Sequence, residues 1–279
     1  KPMSDQLSNK TIILVGVLVS LFNVFFIVTE NFWGLLIPLI IALVAAIVLA
    51  IDKVLLFLVF STPLSIFYYN PDLHVGFTLP TEPILFGIML LFLFRLIYYG
   101  SFDAKVWKHP LSLAILFSLF WMLVTSITSE MPFVSFKALL GRIWFVSVFF
   151  YLMSQLFLYK KNIRLFFWLF MIPLSVVVIY TLYVHGQNGF SKDTATWVMF
   201  PFFKEHTSYG AVLAMYVPIA FVFAFMLKQN LNLRVLAVLI FFILFIGVIM
   251  SFTRAAWVSL FVAVVAMLVI VFKVRKEII

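Results

Sequence analysis

An all-α, polytopic bundle of about ten membrane-spanning helices, both termini cytoplasmic, is the fold class this sequence predicts. Three observations predict it. Of 279 residues, 66% are hydrophobic and 10% charged, whereas a water-soluble domain carries about 45–50% and about 25%. The apolar residues fall in continuous runs rather than in alternating strands of about ten residues, which excludes a β-barrel. The few cations divide unequally between the two ends of the runs. Little is left over for a nucleotide-binding, soluble catalytic or sensor domain, so residues 1–279 read as a single transmembrane domain.

Charges and turn residues mark each span in order. The first, Thr11–Val28, ends at Thr29-Glu30-Asn31 without a small-residue cleavage site and reads as retained. Trp33–Ile51 stops before Asp52-Lys53, and Val54–Tyr68 follows to the polar Asn70-Pro71-Asp72. Pro83–Tyr99 opens behind Glu82, Leu111–Thr128 behind His109-Pro110, and Pro132–Leu158 behind Glu130. Arg164–Val184 and His206–Leu227 flank the one sizeable outer loop. The stretch Val235–Val271 holds one charge, Arg254; as one helix it would be roughly 55 Å long, against a hydrocarbon core of about 30 Å. It therefore turns near Ser251-Phe252-Thr253-Arg254, giving Arg234–Phe252 and Ala255–Phe272.

With the N-terminus inside, Lys1, Lys10, Lys53, Arg95, Lys105, Lys108, Lys160, Lys161, Arg164, Lys228, Arg234, Lys273, Arg275 and Lys276 lie on the cytoplasmic side. Lys137, Arg142, Lys192, Lys204 and Arg254 lie opposite. This is the positive-inside bias. It absorbs most of the net charge of +9, so the basic balance speaks for a lipid bilayer and not for a nucleic-acid partner. Cysteine is absent, which excludes disulfides and thiolate metal sites.

The five outer cations carry the functional question. Arg254 stands at a hairpin tip with no acid nearby in sequence. The ordinary reading is a snorkelling arginine; the functional one is a guanidinium offered to phosphate oxygens in a two-pronged contact. Lys137 and Arg142 fall in the first turns of their span, where cations oppose the helix dipole yet add to an anion-attracting end. Five residues apart, they point about 140° away from each other. The loop His185–Glu205 carries Lys192, then Trp197, Phe200, Phe202 and Phe203, then Lys204-Glu205-His206. It is an interfacial aromatic belt or a loop dipping over a lipid-filled cavity. His206 opens a helix and reads as structural or as a polar pocket group; Glu82 reads as an acidic first turn or a pocket residue. No metal-ligand, P-loop or dinucleotide motif occurs, and the acids of a coupled transporter are missing from mid-span.

Met250-Ser251-Phe252-Thr253-Arg254-Ala255-Ala256-Trp257 resembles the S-x-[ST]-R-[GA]-x-[WL] signature of the O-antigen ligase and Wzy-type polymerase superfamily. Thr81-Glu82-Pro83, His109-Pro110-Leu111 with Trp121, Ser135-Phe136-Lys137 with Arg142, and Glu205-His206-Thr207-Ser208-Tyr209-Gly210 follow that family's order over nearly the whole chain. The resemblance implies an inverting, metal-independent membrane glycosyltransferase that needs no cofactor. Such an enzyme sits in the bacterial inner membrane with its active side periplasmic. It passes a glycan from undecaprenyl pyrophosphate to a lipid A-core or similar hydroxyl acceptor, or, as a polymerase, to another glycan chain. Arg254 would be catalytic and would hold the pyrophosphate together with Arg142 and Lys137; His206, Lys204, Glu205, Glu82 and Trp197 would line the pocket. The family's large periplasmic loop with its catalytic histidine has no counterpart here. The chain is therefore expected to be the N-terminal part of a longer protein whose general base lies elsewhere, the alternative being a divergent short member of the family. The rival class is a lipid-linked oligosaccharide flippase or other transporter.

Overall fold

In the computed structural model, residues 51–70, 75–99, 108–227 and 230–271 are described. The span Thr11–Val28 and all but the last residue of Trp33–Ile51 lie outside them. The described part is mostly helical and falls into two compact units, Lys1–Phe57 with Ile84–Leu158, and Leu58–Pro83 with Tyr159–Ile279.

The first correction to the predicted spans comes at once. Helix α1 runs unbroken through Asp52-Lys53 over 51–61 and stops there, so Val54–Tyr68 is not a span. Pro63 explains the stop, because it lacks an N–H and forces the preceding residue out of helical geometry. The Ser61 and Thr62 hydroxyls bond back to the Leu58 carbonyl at 3.3 and 2.7 Å. Strand β1 (Ile66–Asn70) then pairs antiparallel with β2 (Val75–Leu79), Ile66 opposite Leu79 and Phe67 opposite Thr78. The described residues are therefore mostly helical with one β-hairpin rather than purely α.

In the first unit, α2 (Thr81–Tyr99), α3 (Pro110–Ile127) and α4 (Pro132–Phe145) follow. Chain α4 widens into a π-helical stretch at Val146–Leu152 and ends at Leu156. Proline at the first position suits α3 and α4, and the His109 imidazole accepts the Leu111 N–H at 3.2 Å. Phe86 meets Trp144 at 5.6 Å and Phe92 meets Tyr151 at 6.2 Å, so α2 and α4 run alongside in the same direction. On α3 only Ser112 and Ser126 are buried, while Phe117, Phe120 and Trp121 point outward. Small residues at the helix contact and large apolar ones outside are the pattern of a helix facing lipid.

The second unit holds α5 (Lys160–Gln187), α6 (His206–Phe221, widened at Val222–Met226), α7 (Leu231–Met250) and α8 (Arg254–Val271). The 28 residues of α5 reach roughly 42 Å at 1.5 Å each, enough to cross with tilt. Helices α6 and α7 form the middle pair, with α8 laid on α6 and α5 on α7. Leu174, Val178, Leu213, Leu244 and Val248 are fully buried between them. Lipid is as apolar as leucine, so close packing rather than the hydrophobic effect holds such a core. Gly247 shows how close: a Cβ there would lie 2.7 Å from Val178 and 3.0 Å from Leu213.

The helices alternate in direction. Lys160, Lys161, Arg164 and Arg234 therefore stand at one end of this unit, and Lys192, Lys204 and Arg254 at the other. Among the described residues, five helices are long and apolar enough to cross a membrane: Pro110–Ile127, Pro132–Leu156, Lys160–Gln187, His206–Met226 and Leu231–Met250.

Candidate functional site

Helix α7 ends in open carbonyls, as every helix does, and the next residues close on them. The Val248 carbonyl accepts from the Ser251 hydroxyl at 2.7 Å and from the Trp257 indole at 2.9 Å. The chain reverses through Phe252, held at a φ of 50°. Thr253 then heads α8, its carbonyl accepting the Ala256 and Trp257 N–H groups at 3.0 and 3.2 Å. Its hydroxyl is 3.1 Å from the His206 carbonyl and 3.2 Å from that of Ser251, sharing one proton between them. Arg254 is left exposed as the first residue of α8.

The partner segment is Glu205–Gly210. A Cβ on Gly210 would fall 2.8 Å from both the Cβ and the hydroxyl oxygen of Thr253. Only glycine lets the start of α6 come this near. Two helix N-termini, those of α6 and α8, thus meet at Thr253, the residue before the exposed Arg254. Their partial positive charge adds to the arginine's own and favours an anion at this end.

Six of the eight sequence-predicted site residues belong to this unit. His206 is half-buried, and its carbonyl, not a catalytic ring contact, joins it to Thr253. Glu205 stands exposed at the N-cap position of α6 without a side-chain bond to the helix backbone, and it accepts the Thr207 hydroxyl at 3.3 Å. Lys204 lays its ammonium 3.8 Å from the centroid of the Phe67 ring. The Phe67 N–H also donates to the Pro201 carbonyl at 3.1 Å, so the β-hairpin is tied to the outer loop. Trp197 is exposed at the end of a short 3₁₀ turn, Thr194–Thr196. Glu82 sits in the first turn of α2, next to Thr81, whose hydroxyl pairs with Ser65. Lys137 and Arg142 lie in the first unit, both exposed on α4, with Leu139 buried between them.

The loop 188–205 does not hang free. Met199 and Val198 are buried, Phe202 meets Tyr180 at 5.4 Å, and Phe203 meets Tyr209 at 5.3 Å. One residue that sequence reasoning passed over is His185. It is buried at the end of α5, its Nε2 3.0 Å from the Ser191 carbonyl and its ring against Phe252. The sequence signal for it was slight: a histidine among apolar residues, just before the first glycine after a long span. Among the described residues no three His, Asp or Glu side chains gather as a metal site.

Fold and composition together define a multi-pass helical membrane protein. Beyond that class, the chain matches no protein-family model, no curated protein and no solved structure.

Proposed function

We propose that this chain is a multi-pass membrane glycosyltransferase of the O-antigen ligase kind, with its active side periplasmic in a bacterial inner membrane. One observation carries the reading. The two segments that resemble the family's signatures, 205–210 and 250–257, are 47 residues apart at their hydrogen bond and close on each other with Arg254 left outside.

The chemistry follows from the charge. The acceptor hydroxyl attacks the anomeric carbon of an undecaprenyl-pyrophosphate-linked glycan from the face opposite the pyrophosphate, inverting that centre. The carbon–oxygen bond to pyrophosphate breaks, and negative charge develops on the leaving oxygen. A guanidinium at the meeting of two helix N-termini stabilises that charge as it forms. Arg142 and Lys137, in the first unit, are the other cations to which the resemblance gives a part in pyrophosphate binding. The acceptor's proton goes to a base that is not assigned to His206. A Wzy-type polymerase would use the same donor chemistry and differ only in its acceptor, lipid A-core against a growing glycan.

The test is replacement of Arg254 in cells that depend on this chain for glycan transfer. Arg254→Ala abolishes the transferred product while the protein still accumulates in the membrane, and Arg254→Lys keeps a fraction. Full transfer by Arg254→Ala overturns the assignment. A flippase or transporter would instead move lipid-linked glycan across the membrane with no new glycosidic bond.

A further inference from the structure

Among the described residues, two that are not glycine have a positive φ, Phe190 and Phe252, each at 50°. Bulky L-residues rarely adopt that conformation, and it persists only where the surroundings enforce it. Both rings rest on the same side chain. The His185 imidazole lies 5.2 Å from the Phe190 ring and 6.1 Å from the Phe252 ring, centroid to centroid.

His185 is 1% exposed, which bars it from touching a glycan and from acting as a base on one. Its bonds say what it does instead. The Ser191 carbonyl is an acceptor only, so Nε2 carries the proton and donates to it across 3.0 Å. The His185 carbonyl accepts the Asn188 and Phe190 N–H groups, both at 3.1 Å. One residue therefore closes the end of α5, fixes the first residues of the outer loop, and abuts the turn that presents Arg254.

We infer that His185 is a positioning residue, coupling the loop 188–205 to the Ser251–Arg254 turn by holding Phe252 in its left-handed conformation. With the ring gone, Phe252 relaxes towards ordinary φ values. The following peptide rotates, Thr253 leaves the His206 carbonyl, and Arg254 loses its place at the head of α8. The functional consequence rests on the donor-site reading of Arg254; the coupling itself is a property of the fold.

Because the chain has no cysteine, a single thiol reports on the turn directly. Ala255→Cys places it beside Arg254, and Asn230→Cys places a control at the start of α7, the other end of the same unit. Rates of reaction with a maleimide are measured on detergent-purified protein, with His185 intact and as His185→Gln, which keeps a donor but removes the ring. His185→Phe, which keeps a ring and removes the donor, is measured alongside. The expected result is that His185→Gln speeds labelling at 255 by about fivefold or more through local opening, with labelling at 230 unchanged. His185→Phe has the smaller effect at 255. In a transfer assay His185→Gln lowers kcat more than it raises the donor KM. Unchanged labelling at 255 overturns the inference whatever the activity, and so does equal acceleration at 255 and 230, which would mean general loosening. Faster labelling at 255 in a parent protein that transfers no glycan would support the coupling and reject the glycosyltransferase reading.

Discussion

Gly210 and Gly141 are both helical glycines, and replacing each by alanine should have opposite effects. At Gly141 a new Cβ meets nothing within 4 Å, so alanine gains about 0.5–1 kcal/mol by removing glycine's backbone freedom. At Gly210 the same Cβ would lie 2.8 Å from the Cβ and hydroxyl oxygen of Thr253 and 3.1 Å from the Ser251 hydroxyl. Thr253 Cβ is bonded directly to the backbone and has no flexible end to move aside, so the start of α8 must shift. Overpacking of this kind costs about 1–3 kcal/mol. Loss of the Thr253–His206 hydrogen bond adds about 0.5–1.5 kcal/mol, and alanine's better helix propensity returns about 1 kcal/mol. The propensity gain is common to both, so the gap between the variants is about 1.5–4.5 kcal/mol, or several degrees in Tm for a protein of this size. Thermal unfolding of the purified proteins in one detergent, followed through a tertiary signal, measures it. Gly210→Ala should melt below the unsubstituted protein and Gly141→Ala at or above it. If the two variants melt together, the close approach of α6 to the 251–253 turn is wrong, and with it the geometry of the candidate site.

Other predictions bear on the parts around that turn. A double-mutant cycle of Lys204→Met and Phe67→Leu should give a coupling of about 0.5–1 kcal/mol, the range for an exposed cation on an aromatic face; zero coupling would remove the tie between hairpin and outer loop. Trp257→Phe should cost about 1 kcal/mol or less in detergent unfolding, because the Val248 carbonyl keeps its bond from Ser251; a much larger loss would give the indole a role beyond that carbonyl. Lys137→Ala and Arg142→Ala should each raise the donor KM by about three- to tenfold, the size of a lost hydrogen bond, with kcat little changed. Unaltered kinetics in both would remove Lys137 and Arg142 from pyrophosphate binding.

Much of the bundle was legible because lipid imposes a length and a composition on each span. The predicted Leu111–Thr128, Pro132–Leu158 and His206–Leu227 agree with the observed helices to within a residue or two. Polar ends were less informative. Lys160 and Lys161 lie inside α5 rather than before it, and Asp52 and Lys53 lie inside α1, since charged side chains near a helix end need not break its backbone bonds. The hairpin was illegible for a different reason. Ile66-Phe67-Tyr68 is as apolar as a short helical segment, and periodicity cannot tell the two apart over so few residues. Pro63 was the usable signal.

The site divides in the same way. Arg254 stands out in sequence because it is one charge in a long apolar stretch, and the requirement for a turn there is a matter of length alone. That Thr253 reaches His206, that Gly210 makes room for it, and that His185 supports Phe252 are tertiary facts. They join residues far apart in the chain through a backbone carbonyl and ring edges, which leave no local pattern to read.

The account turns on Arg254 acting on a pyrophosphate. The most direct measurement is turnover by purified protein in lipid nanodiscs, given a polyprenyl-pyrophosphate-linked glycan and a hydroxyl acceptor, with the new glycosidic bond detected by mass. Transfer is expected from the whole unsubstituted protein that contains this chain, with a fall of about a hundredfold or more in kcat for Arg254→Ala, the usual effect of removing a group that stabilises developing charge. Transfer by Arg254→Ala at the unsubstituted rate would contradict it.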